Sequence, residues 1–198
     1  MHPLPCAVLL ATACLLPAAE PPSVTVLVDF EMPPSELSYQ AMQAEASSVL
    51  GPTGVRLTFK LKSEAGGENF SDVVLMSFQG RCGMNPIPVV FDERGPLAFA
   101  RTVNGEIQPF GVVRCDRVRN AVKQAMWGRD FKQGDRLMGR ALGRVVAHEL
   151  YHMLARTSDH AASGVAKRAL TGQALISDTL RFRPEEVEKL QSLHPGFD

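Results

Sequence analysis

The chain has 198 residues, which suits one domain, and balances 21 Lys plus Arg against 21 Asp plus Glu. Zero formal charge removes the electrostatic basis for binding nucleic acid or an anionic membrane surface. A hydrophobic fraction of 45% supplies an ordinary globular core and excludes a disordered chain.

Residues 1–19 carry no Asp, Glu, Lys or Arg, and Ala7 to Leu16 form an apolar run. Pro17, Ala18 and Ala19 follow, and small residues suit a cleavage site. The pattern predicts a signal peptide over 1–19 and a secreted or periplasmic domain over 20–198. The run is too short to span a bilayer, which needs about 20 apolar residues. Cleavage there removes Cys6 and Cys14 and leaves Cys82 and Cys115, which in an exported chain read as a disulfide.

The elements then follow in order. Val24 to Phe30 is rich in β-branched residues and predicts a strand ended by Pro33 and Pro34. Ser35 is placed to cap a helix through about Leu50, stopped by Gly51 and Pro52. Val55 to Leu61 alternates as a strand, and Val73 to Phe78 is an apolar run suited to a central strand. Leu97 to Thr102 and Ile107 to Cys115 predict a hairpin turned at Asn104-Gly105. Asp116 is placed to cap a helix to about Trp127, Asp135 a helix to about Ala155, and a last helix starts near Pro184. That order predicts an α+β domain with one mixed sheet.

The chemistry concentrates on the Asp135 helix. Residues four apart share a face, so Ala141, Val145, His148 and His152 form one stripe. Leu142, Val146, Leu150, Met153 and Leu154 form the apolar stripe expected to face the core, with the histidines directed elsewhere. Two imidazoles one turn apart can hold one zinc ion. Glu149 is placed to reach water at the metal and to carry its proton to a leaving amine. A catalytic zinc site wants three protein ligands. Of five histidines, only His160 lies within local reach; Asp159 is the next candidate, then Glu185 or Glu186.

The stretch His148 to Lys167, HELYHMLARTSDHAASGVAK, resembles the zinc-binding region of the zincin superfamily, in particular its metzincin branch. It is also similar to bacterial exported proteins with seven residues between the second and third histidines. The resemblance covers about residues 143–193. It implies a zincin-like fold, with His148, His152 and His160 as ligands of one Zn2+ and Glu149 as general base. It further implies hydrolysis of a peptide or protein substrate. Ala155 and Arg156 stand where a metzincin has Gly, and Val165, Ala166 and Lys167 stand where it turns around a Met. Val165 is a candidate replacement for that apolar floor, and Lys167 near a zinc ion is electrostatically unfavourable unless it points to solvent. The alternative is an exported zinc-binding module that has lost catalysis.

The remaining residues have simpler expectations. Tyr151 packs beside the helix or holds an oxyanion. Gly139 and Gly143 allow another element to approach. Arg114, Arg117 and Arg119 form a solvated basic face. Trp127 and the phenylalanines belong to the core, and Asp29 to Pro34 and Phe91 to Pro96 are candidates to line a substrate cleft.

Overall fold

The computed structural model describes residues 22–84, 95–126 and 131–193. The signal-peptide expectation, Trp127 and His194 lie outside the described residues. A five-stranded mixed sheet runs in the order β2-β1-β3-β5-β4. Its strands are β1 (Ser23–Met32), β2 (Arg56–Leu61), β3 (Val73–Arg81), β4 (Ala98–Val103) and β5 (Glu106–Arg114). The first three and β5 pair in parallel, and β4 joins β5 antiparallel as an edge. The helices are α1 (Glu36–Leu50), α2 (Cys115–Ala125), α3 (Gly134–Leu154), α4 (Gly172–Ile176) and α5 (Pro184–Ser192). This is the expected α+β architecture with a mixed sheet. No helix among the described residues is long and apolar enough to cross a membrane.

Period-two alternation decides which face of the sheet is covered. Val24, Val26 and Val28 of β1 and Val74, Met76 and Phe78 of β3 are buried, while the residues between them are mostly half-buried. The apolar β3 run is indeed central. The Asn104-Gly105 turn takes positive φ at both residues (53° and 85°), the geometry a tight hairpin requires. Ser35 caps α1 as its sequence predicts, its hydroxyl accepting the Ser38 N–H at 3.3 Å.

Several boundaries differ from the sequence reading. Cys115 opens α2 instead of ending β5, so Asp116 sits in the first turn and binds Arg119 at 2.6 Å. Gly134 opens α3, so Asp135 also lies inside its helix; its carboxylate accepts from Ser35 Oγ at 2.9 Å. Helix α4 has no counterpart among the predicted elements, because five residues are too few to show a helical period. Arg119 is not solvated: it is 2% exposed, held by Asp116 and donating to the Arg81 carbonyl. Phe99 and Phe110 are exposed rather than core.

Two constraints hold the layers together. Helix α3 lies directly on α1 at Gly139 and Gly143. A Cβ at Gly143 would stand 2.6 Å from the Met42 carbonyl oxygen and 2.8 Å from Glu45 Cβ. The Cys82–Cys115 disulfide, with Cα atoms 4.8 Å apart, ties the chain after β3 to the start of α2.

Both constraints make measurable claims. Gly143→Ala would gain about 1 kcal/mol of helix propensity but must push α1 away, at about 1–3 kcal/mol. Its urea midpoint is therefore expected below wild type; an equal or higher midpoint would remove the contact as a constraint. Replacing Cys82 and Cys115 together by Ser opens a 33-residue separation. In the chain-entropy account this lowers stability by about 3–4 kcal/mol, read from the same denaturation curves.

Candidate metal centre

Helix α3 is buried on all sides over the motif: every residue from Ala141 to Ala155 is buried. The histidine face was expected to point away from the core; instead it is covered by the chain that returns after the helix. His148 and His152 are 8% and 6% exposed, one turn apart, with ring centroids 4.7 Å apart.

The turn that follows brings in the third ring. Ala155 caps α3, and Arg156 takes a left-handed φ of 45°. The Thr157 N–H then donates back to the His152 carbonyl at 3.1 Å, the long bond of a Schellman-type helix end. Glycine usually takes this position because a side chain there costs about 1–2 kcal/mol. Arg156 takes it here, which is how the chain reverses without the metzincin Gly. The Thr157 hydroxyl donates to Asp159 Oδ2 at 2.9 Å, and the Asp159 N–H donates to that hydroxyl. His160 follows, exposed, with its ring 4.7 Å from His152 and 5.4 Å from His148.

The three histidines offer ring nitrogens that all lie within 4.8 Å of one another, and so could hold a metal ion. The other ligand candidates are engaged elsewhere. Asp159 is turned onto Thr157. Glu185 pairs with Arg183 at 2.7 Å, and Glu186 accepts the Arg183 N–H at 2.9 Å.

The hydrogen bonds of the two buried rings fix their tautomers. His148 Nδ1 lies 2.7 Å from the Val165 carbonyl, and His152 Nδ1 lies 2.6 Å from the Thr157 carbonyl. A carbonyl can only accept, so each Nδ1 carries the hydrogen and each Nε2 of a neutral ring presents a bare lone pair. Those two Nε2 atoms face each other at 3.1 Å. Two lone pairs so placed repel unless a cation or proton sits between them. Two nitrogens bound to one zinc at tetrahedral angles stand roughly 3.3 Å apart. The residues therefore fit a small dication, and backbone carbonyls behind ligating histidines are the usual orienting partners.

Burial drives the electrostatics. Desolvation holds His148 at about 4, the Val165 hydrogen bond acting against it and the neighbouring histidines with it. Desolvation also lowers His152 and His160, in each case opposed by a backbone hydrogen bond. All three rings thus favour the neutral, ligand-ready form. Glu149, 4% exposed, is pushed by desolvation up to about 8, with a backbone hydrogen bond from Ala100 pulling the other way.

Two clefts open onto this cluster. One of about 300 Å³ runs along β4 and touches His148, Glu149, His152 and His160. The other, about 230 Å³, reaches Val145, His148 and Glu149 from the side of residues 167–170. Pro96 lines both, as proposed for that segment, although residues 91–94 lie outside the described residues. Asp29 to Pro34 lines neither: β1 continues to Met32, and Asp29 pairs with Lys62 at 2.8 Å. A third cleft, of about 690 Å³, lies around Asp72, Gln108 and Arg156, and none of the three histidines lines it. Tyr151 lines neither cleft at the histidines and stacks its ring 5.7 Å from Phe182, which is the simple packing role.

Some contributors carry no sequence signal. The Val165 and Thr157 carbonyls and the Ala100 N–H act through the backbone, so their side chains do not announce them. Val165 is fully buried, and Lys167 is exposed. Arg144, one turn before His148, could have been noticed as a charge on the apolar helix. It is 1% exposed, binds Glu45 at 2.7 Å and donates to the Ala174 and Leu175 carbonyls. Comparison of the sequence with protein-family models gives no match, and comparison with curated proteins gives none.

Glu149 gives the metal-free protein a distinctive pH dependence. Its folded value, about 8, lies above the ordinary 4.5, so its stabilising share is full below about pH 4.5 and is lost as pH rises through about 8. His148 runs oppositely: its share is present above about 6.5 and lost as pH falls through about 4. The two slopes oppose each other below 6.5, and Glu149 alone remains above it. Urea unfolding of chelated protein is expected to lose on the order of 1–2 kcal/mol between pH 6.5 and 8. Glu149→Gln should flatten that slope; a slope unchanged in this variant would remove Glu149 as its source.

Proposed function

We propose that the chain is an exported zinc-dependent endopeptidase of the zincin superfamily, with a metzincin-like centre. One observation carries this reading. Two buried imidazoles aim bare nitrogens at each other, His160 completes a trio, and Glu149 lies beside them on a cleft. An all-nitrogen trio that leaves a position open suits zinc among the common biological metals. Zinc held there by His148, His152 and His160 supplies a Lewis acid that polarises a carbonyl and acidifies water.

The chain's own groups do the rest. Glu149 takes a proton on its carboxylate from the attacking water and passes it to the departing nitrogen of the peptide bond. Burial makes the Glu149 carboxylate a stronger base than an exposed one, and a dication beside it would favour its ionised form. Strand β4 is a sheet edge, and Ala98, Phe99 and Ala100 line the cleft at the histidines. An extended peptide can pair with such an edge and so be drawn across the trio. Export is supported by the uncharged apolar start and by a disulfide, which persists in oxidising compartments.

The test separates metal holding from catalysis. Purified wild type is expected to carry one zinc per chain by elemental analysis and to hydrolyse a peptide library. Glu149→Gln should keep its zinc and lose at least about a hundredfold in rate, the low end for a missing general base. His148→Ala should lose both zinc and activity. Undiminished hydrolysis by Glu149→Gln would move the base elsewhere. Full zinc in wild type with no peptide cleaved would instead make the chain a zinc-binding module.

A further inference from the structure

The returning chain does more than cover the histidines. After the buried pair Val165 and Ala166 it presents Lys167 and Arg168, both exposed. Both line the 230 Å³ cleft, whose walls otherwise include the apolar side chains Leu97, Ala98, Val145 and Leu170. Arg168 also lines the cleft along β4, beside all three histidines.

Carboxylates on the elements around the returning chain are engaged by other groups among the described residues. Asp159 accepts from Thr157, Asp178 is bound by Arg140 at 2.7 Å, and Glu185 and Glu186 serve Arg183. Neither Lys167 nor Arg168 forms an ion pair among the described residues. Among the described residues the acid lining that cleft is Glu149, which is buried and taken by Ala100. Surface cations are ordinarily solvated. These two share one concavity with apolar walls, which strengthens their field over that of a flat surface. Arg168 offers a planar fork matched to a carboxylate, and Lys167 a mobile point charge.

We propose that this cleft receives a carboxylate of the bound peptide, with Lys167 and Arg168 as the specificity-determining residues. The inference rests on the peptidase reading and names its substrate class. The carboxylate belongs either to an Asp or Glu side chain close to the cleaved bond or to the C-terminus of a short peptide. A Lys or Arg at the same place is repelled.

Dye-labelled peptides of one neutral sequence test this. One set is amidated and scanned with Glu at each position, a second is scanned with Lys, and a third has a free C-terminal carboxylate. Binding is read by fluorescence anisotropy on the zinc-loaded Glu149→Gln chain, and cleavage is read on wild type. The best carboxylate-bearing peptide is expected to bind on the order of fivefold tighter than the neutral one, an advantage that shrinks in high salt. A gain confined to the Glu scan assigns a side chain; a gain confined to the free terminus assigns the terminal group.

K167E/R168E should invert the preference towards Lys peptides, and K167Q/R168Q should erase it without inversion. Equal affinity for all sets, no measurable binding of any peptide, or a preference unchanged by K167E/R168E would overturn the proposal. The two readings fail separately. A charge preference that follows the reversal while wild type cleaves nothing sinks the peptidase and keeps the carboxylate site. Cleavage with no charge preference does the opposite.

Discussion

Helix α3 is enclosed over its whole motif, and that enclosure dictates most of what surrounds it. A buried polar group left unpaired costs about 1–3 kcal/mol, and more if charged. Four such groups lie on this helix: Arg144, His148, Glu149 and His152. Each is answered from a different part of the chain. Arg144 meets Glu45 of α1 and two carbonyls of α4, His148 meets Val165, Glu149 meets Ala100 of β4, and His152 meets Thr157. The segment after α3 is thus folded by the needs of the helix it follows.

Further contacts support these partners from behind. The Val165 N–H donates to the Arg181 carbonyl at 3.0 Å while its own carbonyl receives His148. Arg181 in turn lies 3.6 Å from Glu45, the carboxylate that holds Arg144. Gly164 makes the close approach possible: its φ is +78°, and a Cβ there would stand 2.6 Å from the Arg181 carbonyl oxygen. A ring held through carbonyls is insensitive to which side chains those residues carry, so the orientation can persist while the surface sequence varies.

This explains what could be read from the residues alone. The strands, α1 with its Ser35 cap, the Asn104-Gly105 hairpin and the helix bearing His148 and His152 are local patterns, set by period, capping and turn chemistry. The disulfide followed from counting the cysteines left in a processed chain. His160 was reachable because so few histidines compete with it. The all-round burial of α3 was not legible, since it depends on how residues 157–183 return, and that return is fixed by contacts distant in sequence. The sequestered Arg119 was misread for the same reason. A basic run looks solvated until a fold supplies Asp116 and the Arg81 carbonyl.

The Glu45–Arg144 pair joins residues 99 apart in the sequence. Closing a flexible loop of that size costs about 4 kcal/mol of entropy, apart from a constant. Such non-local contacts belong to slow-folding topologies, in which closure is met before the contact repays it. The three imidazoles and the Thr157 and Val165 carbonyls behind them all lie between residues 148 and 165, yet the helix that carries two of the rings is anchored through Arg144 to the distant Glu45. A nascent or unfolded chain therefore does not hold the imidazoles in their converged arrangement, and any ion that the cluster could hold would bind together with completion of the fold.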